Sequence, residues 1–341
     1  MLGVVIPYWG QSIFRAVGIA VAVLIPAGTA VYLYLFKMVS FMQSRLGPME
    51  AGPYGSMQLF AEVGKFLQKE DLHPDNADRF IFKSAIFVVF LTVFLVYLAV
   101  PFGPFAVFAD YATGIFFALA VSSVAVLGIL MAGWSSANKY SLMGGLRAAG
   151  QLIAYELPMI LAVMGVVIQA GTLNMQGIVA AQKNGEIFGW GGIGNPYVFT
   201  QFVALVIFLI AAQAELTQTP FDMPVAESEL VAGFMTEYSG FRFLLFFIAE
   251  FASAGAFAAL AATLFLGGWA LPGVPLDASY MNVIGPIVLF TKMLILMSLI
   301  FFVRFTYPRF REDQLQRFAW KFLIPLALAN IVVTAVLKVA V

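Results

Sequence analysis

Residues 214–243 read AELTQTPFDMPVAESELVAGFMTEYSGFRF and carry five carboxylates, Glu215, Asp222, Glu227, Glu229 and Glu237, with no basic residue before Arg242. Pro220 and Pro224 prevent this stretch from continuing as one regular helix. The acids are therefore predicted on an irregular loop, interleaved with Phe221, Leu230, Val231, Phe234, Met235 and Tyr238. Further ionisable groups stand in apolar sequence: Glu156 in AYELPM, Glu250 in FIAEFA, and Lys292. Such groups suit proton transfer. Desolvation raises a carboxyl's pKa and a neighbouring cation lowers it, so a row of acids with few cations is tunable around neutral pH and titrates as a coupled set. A solvated loop is the plainer alternative. The interleaved apolar residues and the acids inside apolar runs argue against it.

The elements that must position these groups span a membrane. The 341 residues are 62% apolar and 11% charged, with a mean hydropathy of +0.94, far above a soluble domain. Runs long enough to cross the hydrocarbon core lie near 13–36, 81–103, 113–133, 152–172, 197–214, 243–266, 283–303 and 320–340. The expectation is an all-α, polytopic bundle of eight transmembrane helices forming one integral membrane domain over 1–341. The first run is span-length and lacks a small-residue cleavage pattern, so it is read as a helix and not a removed signal.

Fourteen of the 18 Lys and Arg residues fall in 37–83, 134–150, 215–242 and 304–321, against Arg15, Lys183 and Lys338 on the opposite face. The positive-inside rule places those four segments in the cytoplasm and both termini outside. Counting inward at 1.5 Å per residue puts Glu250 about 12 Å and Lys292 about 18 Å deep. At such depth a charge costs about 2.5–3.5 kcal/mol and must face the bundle interior. A proton path is the default reading, and the alternative for this pair is a single buried Glu250–Lys292 ion pair fixing two helices.

The first inward segment contains SMQLFAEVGKFLQK (56–69), which places Leu59, Phe60, Val63, Phe66 and Leu67 on one helical face and Gln58, Glu62, Lys65 and Lys69 on the other. This predicts a short amphipathic helix in the interface. No internal repeat relates the two halves, which disfavours a secondary transporter. With no cysteine and one histidine, His73, the chain cannot hold a cysteine-ligated iron–sulfur cluster, structural zinc or a bis-histidine haem. No glycine-rich phosphate loop is present either, and nothing suggests nucleic acid binding. Any electron carrier belongs to another subunit or to a diffusible ligand.

Four strings carry a family resemblance: FMQSRLGP with AGPYGSMQLFAEVGKFLQKED (41–71), GWSSANKYSLMGGLRAAGQLIAYELP (133–158), AELTQTPFDMPVAESELVAGFMTEYSGFRFLLFFIAEF (214–251) and RFTYPRFREDQLQRFAWKFLIPLALAN (304–330). The chain resembles the membrane subunit of respiratory complex I, NADH:quinone oxidoreductase, known as the H subunit in bacteria and subunit 1 in mitochondria. The resemblance implies a bacterial inner-membrane subunit at the joint between the membrane and redox arms. It implies quinone as substrate, with iron–sulfur clusters and FMN held in partner subunits, soluble subunits on the cytoplasmic side and antiporter-like subunits alongside. Carried onto this sequence, it assigns Glu156, Glu215, Asp222, Glu227, Glu229 and Glu250 to a proton path, and Arg45, Glu62, Phe234 and Met235 to the quinone passage. The basic run Arg309, Arg311 and Arg317 reads as a docking surface, with ordinary positive-inside decoration as the alternative.

The chain departs from the family pattern at named positions. Leu35 and Phe36 stand where an acidic–basic pair is expected, and GPME puts Met49 and Glu50 in place of the usual Asn and Arg. In the acidic loop, Gln218, Val225 and Met235 replace an expected Arg, Glu and His. Three other readings follow: an anchor of a membrane-bound hydrogenase or of a ferredoxin- or F420-linked oxidoreductase, a scaffold that no longer binds quinone, and a stand-alone carrier.

Overall fold

The computed structural model describes residues 25–104, 106–185, 194–275 and 280–340. The start of the first apolar run, Arg15, and parts of the loops 104–112, 173–196 and 267–282 lie outside them. Among the described residues the chain is helical, without strands. Its main helices are α1 (Ile25–Met42), α2 (Gln58–Gln68), α3 (Arg79–Ala99), α4 (Gly114–Ser135), α5 (Lys139–Ala170), α6 (Met175–Asn184), α7 (Phe202–Glu215), α8 (Glu227–Leu230), α9 (Gly240–Phe265) and α10 (Met281–Thr306). The last, α11, runs over Glu312–Phe318, passes through a π turn at Ala319–Leu323 and continues as Ile324–Ala340.

Among the described residues six helices, α3, α4, α5, α9, α10 and α11, are long and apolar enough to cross a membrane, and α7 is a shorter apolar helix. They correspond to seven of the eight apolar runs, and α1 is the described part of the remaining one. The bundle packs α3 on α4, α4 on α5, α5 on α7 and α11, and α9 against α1, α3 and α10. Buried alanines on α9, among them Ala254, Ala258, Ala259, Ala261 and Ala262, let neighbouring backbones approach closely, as small residues do in lipid.

Two boundaries differ from the sequence reading. Charge and glycine predict a loop over 134–150, yet α5 begins at Lys139, with the Asn138 side chain accepting from the Tyr140 amide. Ser141, Gly144, Gly145, Ala148 and Ala149 of that stretch are buried, so it extends α5 toward the charged end. The fifth run instead breaks at Gln201, leaving a four-residue turn, Tyr197–Thr200, before the 14-residue α7. Gln201 is buried and donates to Thr334 while accepting from Asn330 (2.8 and 2.9 Å), tying this break to α11.

Candidate functional site

The acids come together at one end of the bundle, where α7 and α10 finish and α9 begins. Glu215 is the last residue of α7. After it the backbone turns sharply, with Thr217 at φ 50°, a conformation that a β-branched side chain adopts only when its surroundings hold it there. Two buried glutamines secure the loop: the Gln151 amide donates to the carbonyls of Ala214 and Phe221 (2.7 Å each), and that of Gln213 to Thr219 (2.8 Å). Farther on, the backbone of Gly233 and Phe234 lies against Gly144 of α5, where an added Cβ would sit 2.7 Å from Gly233 Cα. Glycine at 144 is therefore what allows this loop to dock.

Between α3, α4, α5, α9 and this loop is a cavity of about 90 Å³, walled by Glu215, Thr217, Phe234, Met235, Glu250 and Ser122 among others. About 10–15 Å³ of such volume holds a water when polar partners are available, so the cavity has room for several. Two of the sequence-predicted acids and two of the predicted passage residues thus share one space. Glu250 receives a hydrogen bond from Gln218 (3.2 Å) and an ion pair from Arg304 at the end of α10 (3.3 Å).

The remaining acids sit around this centre. Asp222 pairs with Arg309 at 2.8 Å, and Arg309 also donates to Ser228. Burial pushes the Asp222 carboxyl up, against the opposing pull of Arg309 and Arg304. Glu229 is exposed on α8 and pairs with Arg147 of α5 at 2.6 Å, and Arg147 also reaches Glu312 at 3.6 Å. The Arg147 guanidinium holds the Glu229 carboxyl below its ordinary value. Glu227 is exposed at the start of α8. Glu156, on α5, receives the Ser123 hydroxyl from α4.

Lys292 stands apart from the acids. Its ammonium donates to the carbonyls of Leu266, Gly268 and Ala270, at 2.7, 2.7 and 2.8 Å, just past the far end of α9. Leu266 is sixteen residues beyond Glu250, about 24 Å along the helix. The Glu250–Lys292 ion pair considered from sequence does not form, because Arg304 is the cation beside Glu250 and backbone carbonyls occupy all three Lys292 donors.

Arg45 is exposed on the turn after α1, and Glu62 accepts from Gln58 (3.1 Å) on the amphipathic α2. Neither is among the cavity's lining residues. The α2 helix has no buried residue and rests on α9 through Phe66 and Phe243, with ring centres 5.7 Å apart. Arg317 is exposed, Arg311 is exposed and pairs with Asp313 at 3.3 Å, and Arg309 is engaged with Asp222.

The departures from the family pattern have structural counterparts. Leu35 is buried in the core and Phe36 packs on Tyr32 with ring centres 4.4 Å apart. Val225 packs against the core, Met49 and Glu50 are exposed, Gln218 bonds Glu250, and Met235 lines the cavity. Sequence reasoning missed Arg304 and Arg147 as partners of the acids and Ser123 as a partner of Glu156. Both arginines were visible at helix ends of the charged side, and the serine stands in an otherwise apolar span.

Fold and site define a multi-pass, all-helical membrane protein with a carboxylate-bearing cavity at its charged end. Residues 14–335 match the model of the family described as NADH dehydrogenase, and the chain belongs to that family. Among its curated relatives, the NADH-quinone oxidoreductase H subunit of Brevibacillus brevis is 41% identical over 332 residues, covering 97% of this chain and 95% of that protein. The H subunit of Geobacillus kaustophilus is 43% identical over 97% of this chain and 96% of its own length. That of Dehalococcoides mccartyi is 45% identical over 88% and 79%.

Proposed function

We propose that this chain is the membrane subunit of a proton-translocating NADH:quinone oxidoreductase, in which the cavity at the charged end links quinone reduction to proton movement. The observation that carries this reading is the convergence of Glu215 and Glu250 with Phe234 and Met235 on one cavity. It stands in a chain whose relatives along nearly their whole length are named as the H subunit of NADH-quinone oxidoreductase. Those names favour it over a hydrogenase or ferredoxin-linked anchor.

Quinone is the substrate of the assembled complex. The electrons come from partner subunits carrying FMN and iron–sulfur clusters, this chain having no cysteine to ligate a cluster. A quinone site needs an apolar passage with a few polar groups at its head, and Phe234, Met235 and the two carboxylates supply those types. Arg45 and Glu62 would border the entrance on the side of α2. Glu156, Glu215, Asp222, Glu227, Glu229 and Glu250 would carry protonation changes away from the cavity. Lys292 has a holding role, because its three donors are fully used by backbone carbonyls. The charged end faces the cytoplasm of a bacterial cell membrane, by the excess of Lys and Arg there. It offers Arg311 and Arg317 to the soluble subunits, while neighbouring antiporter-like subunits lie alongside.

The test is Met235→Trp in the assembled complex, which places an indole in the cavity. Quinone-dependent NADH oxidation is expected to fall about tenfold or more, because the indole occupies space the substrate would need, a barrier increase of at least about 1.4 kcal/mol. Electron transfer from NADH to an artificial acceptor at the soluble arm should be unchanged. Normal quinone turnover with the indole in place would remove the cavity from quinone chemistry.

A further inference from the structure

The span α4 carries two adjacent serines, Ser122 and Ser123, in the apolar sequence AVSSVAVL. Their hydroxyls do different things. Ser122 lines the cavity that holds Glu215 and Glu250, and its hydroxyl donates to the carbonyl of Leu119 at 2.8 Å. Ser123 also lies within reach of that carbonyl, at 3.0 Å, but its hydroxyl meets Glu156 Oε1 on α5. A hydroxyl has one proton to give and two lone pairs with which to accept. The Leu119 carbonyl has two lone pairs and is within reach of both hydroxyls, so the single Ser123 proton is shared between Leu119 and Glu156 Oε1 and can turn from one to the other. Back-bonding to the preceding turn is the ordinary use of serine in a membrane helix and accounts for Ser122 by itself. It does not account for the contact that Ser123 makes across to another helix.

Glu156 is not among the residues lining the cavity, whereas Glu215 and Glu250 are. The serine pair joins the two places: one hydroxyl is on the cavity wall and its neighbour is on the carboxylate. We infer that Ser123, supported by Ser122, is the hydroxyl link through which Glu156 exchanges protons with the Glu215 and Glu250 cavity. This rests on the proton-path reading above and adds a proton-transferring hydroxyl to it. In the step, the Ser123 hydroxyl turns from Leu119 to pass its proton to the Glu156 carboxylate and takes one from a water at the cavity edge beside Ser122, which is replenished by the Glu215 carboxyl. Glu215 ends as carboxylate, Glu156 as carboxyl, and the serine and water are unchanged. One proton moves and no electron does.

The experiment uses the assembled complex in inverted membrane vesicles, with Ser123→Ala, Ser123→Thr, Glu156→Gln and Glu215→Gln compared in quinone-dependent NADH oxidation and proton uptake. Ser123→Ala should slow proton uptake about five- to tenfold, the loss of one hydrogen bond, with normal assembly. Ser123→Thr, which keeps the hydroxyl, should restore it. In infrared difference spectra, the carboxyl band that Glu156→Gln assigns to Glu156 should move in Ser123→Ala and return in Ser123→Thr. A serine that merely fills space would leave that band in place. If both Glu→Gln variants are impaired while Ser123→Ala pumps normally with an unmoved band, the hydroxyl link is wrong and the proton path stands. If neither Glu→Gln variant is impaired, the proton path itself fails, and the link with it.

Discussion

Two cations of α10 meet α9 and the turn that follows it, and they are used in opposite ways. At the charged end, Arg304 approaches Glu250, which also accepts from Gln218 and borders a cavity shared with Glu215. At the other end, Lys292 is held by three backbone carbonyls beyond Phe265, where Gly267 and Gly268 adopt φ values of 73° and 53°. Glycine accepts that left-handed backbone without a Cβ penalty, so the turn can aim its carbonyls at the ammonium. A cation with every donor occupied by backbone secures a turn. A carboxylate beside another carboxylate, hydroxyls and space for water can change protonation without unmaking the fold. Depth in the membrane makes Glu250 and Lys292 look alike in sequence, and their partners separate them.

The strongest change should come at Lys292. Lys292→Met leaves three carbonyls without their donor, each costing about 1–3 kcal/mol when buried. Thermal unfolding of the purified complex should therefore shift markedly downward, while the proton-to-NADH ratio of the complex that does assemble stays normal. Normal stability with lost pumping would place Lys292 among the proton carriers and end the contrast.

A smaller effect distinguishes two acids of the same loop. Arg147 lowers the Glu229 carboxyl, so the stability it contributes is present above the ordinary carboxylate value and is lost as pH falls through the lowered one. Burial raises Asp222, so its contribution is present below the ordinary value and is lost as pH rises through the raised one. Arg147→Met should remove the acid-side loss belonging to Glu229 and leave the opposite dependence of Asp222 in place, read as melting temperature against pH. Because Glu229 is exposed, the change should be small, within about 1 kcal/mol.

Much of this was legible in the sequence. Apolar runs located the helices, as burial in lipid requires, and the amphipathic pattern of 56–69 marked α2. Glu215 and Glu250 stand out in the sequence as acids in apolar surroundings, Phe234 and Met235 are pointed to by the family resemblance alone, and the four share one cavity. The start of α5 was not legible, because charge and glycine in 139–150 resemble a loop until Gly144 and Gly145 are seen to be packing contacts. Nor were the pairings of Arg304, Arg147 and Lys292, since partner choice depends on where the helices cross. Spacing along one chain does not encode that.

Whether the carboxylates of the cavity couple quinone reduction to proton movement is decided by Glu250→Gln. Glutamine keeps the shape and can still accept from Gln218 and Arg304, but it cannot take up or release the proton. In inverted vesicles holding the assembled complex, proton uptake and quinone-dependent NADH oxidation should fall together by about a hundredfold, the scale of a lost acid–base group. Electron transfer to an artificial acceptor at the soluble arm should persist. Unaltered turnover and uptake in Glu250→Gln would contradict the account and leave the cavity a packing feature.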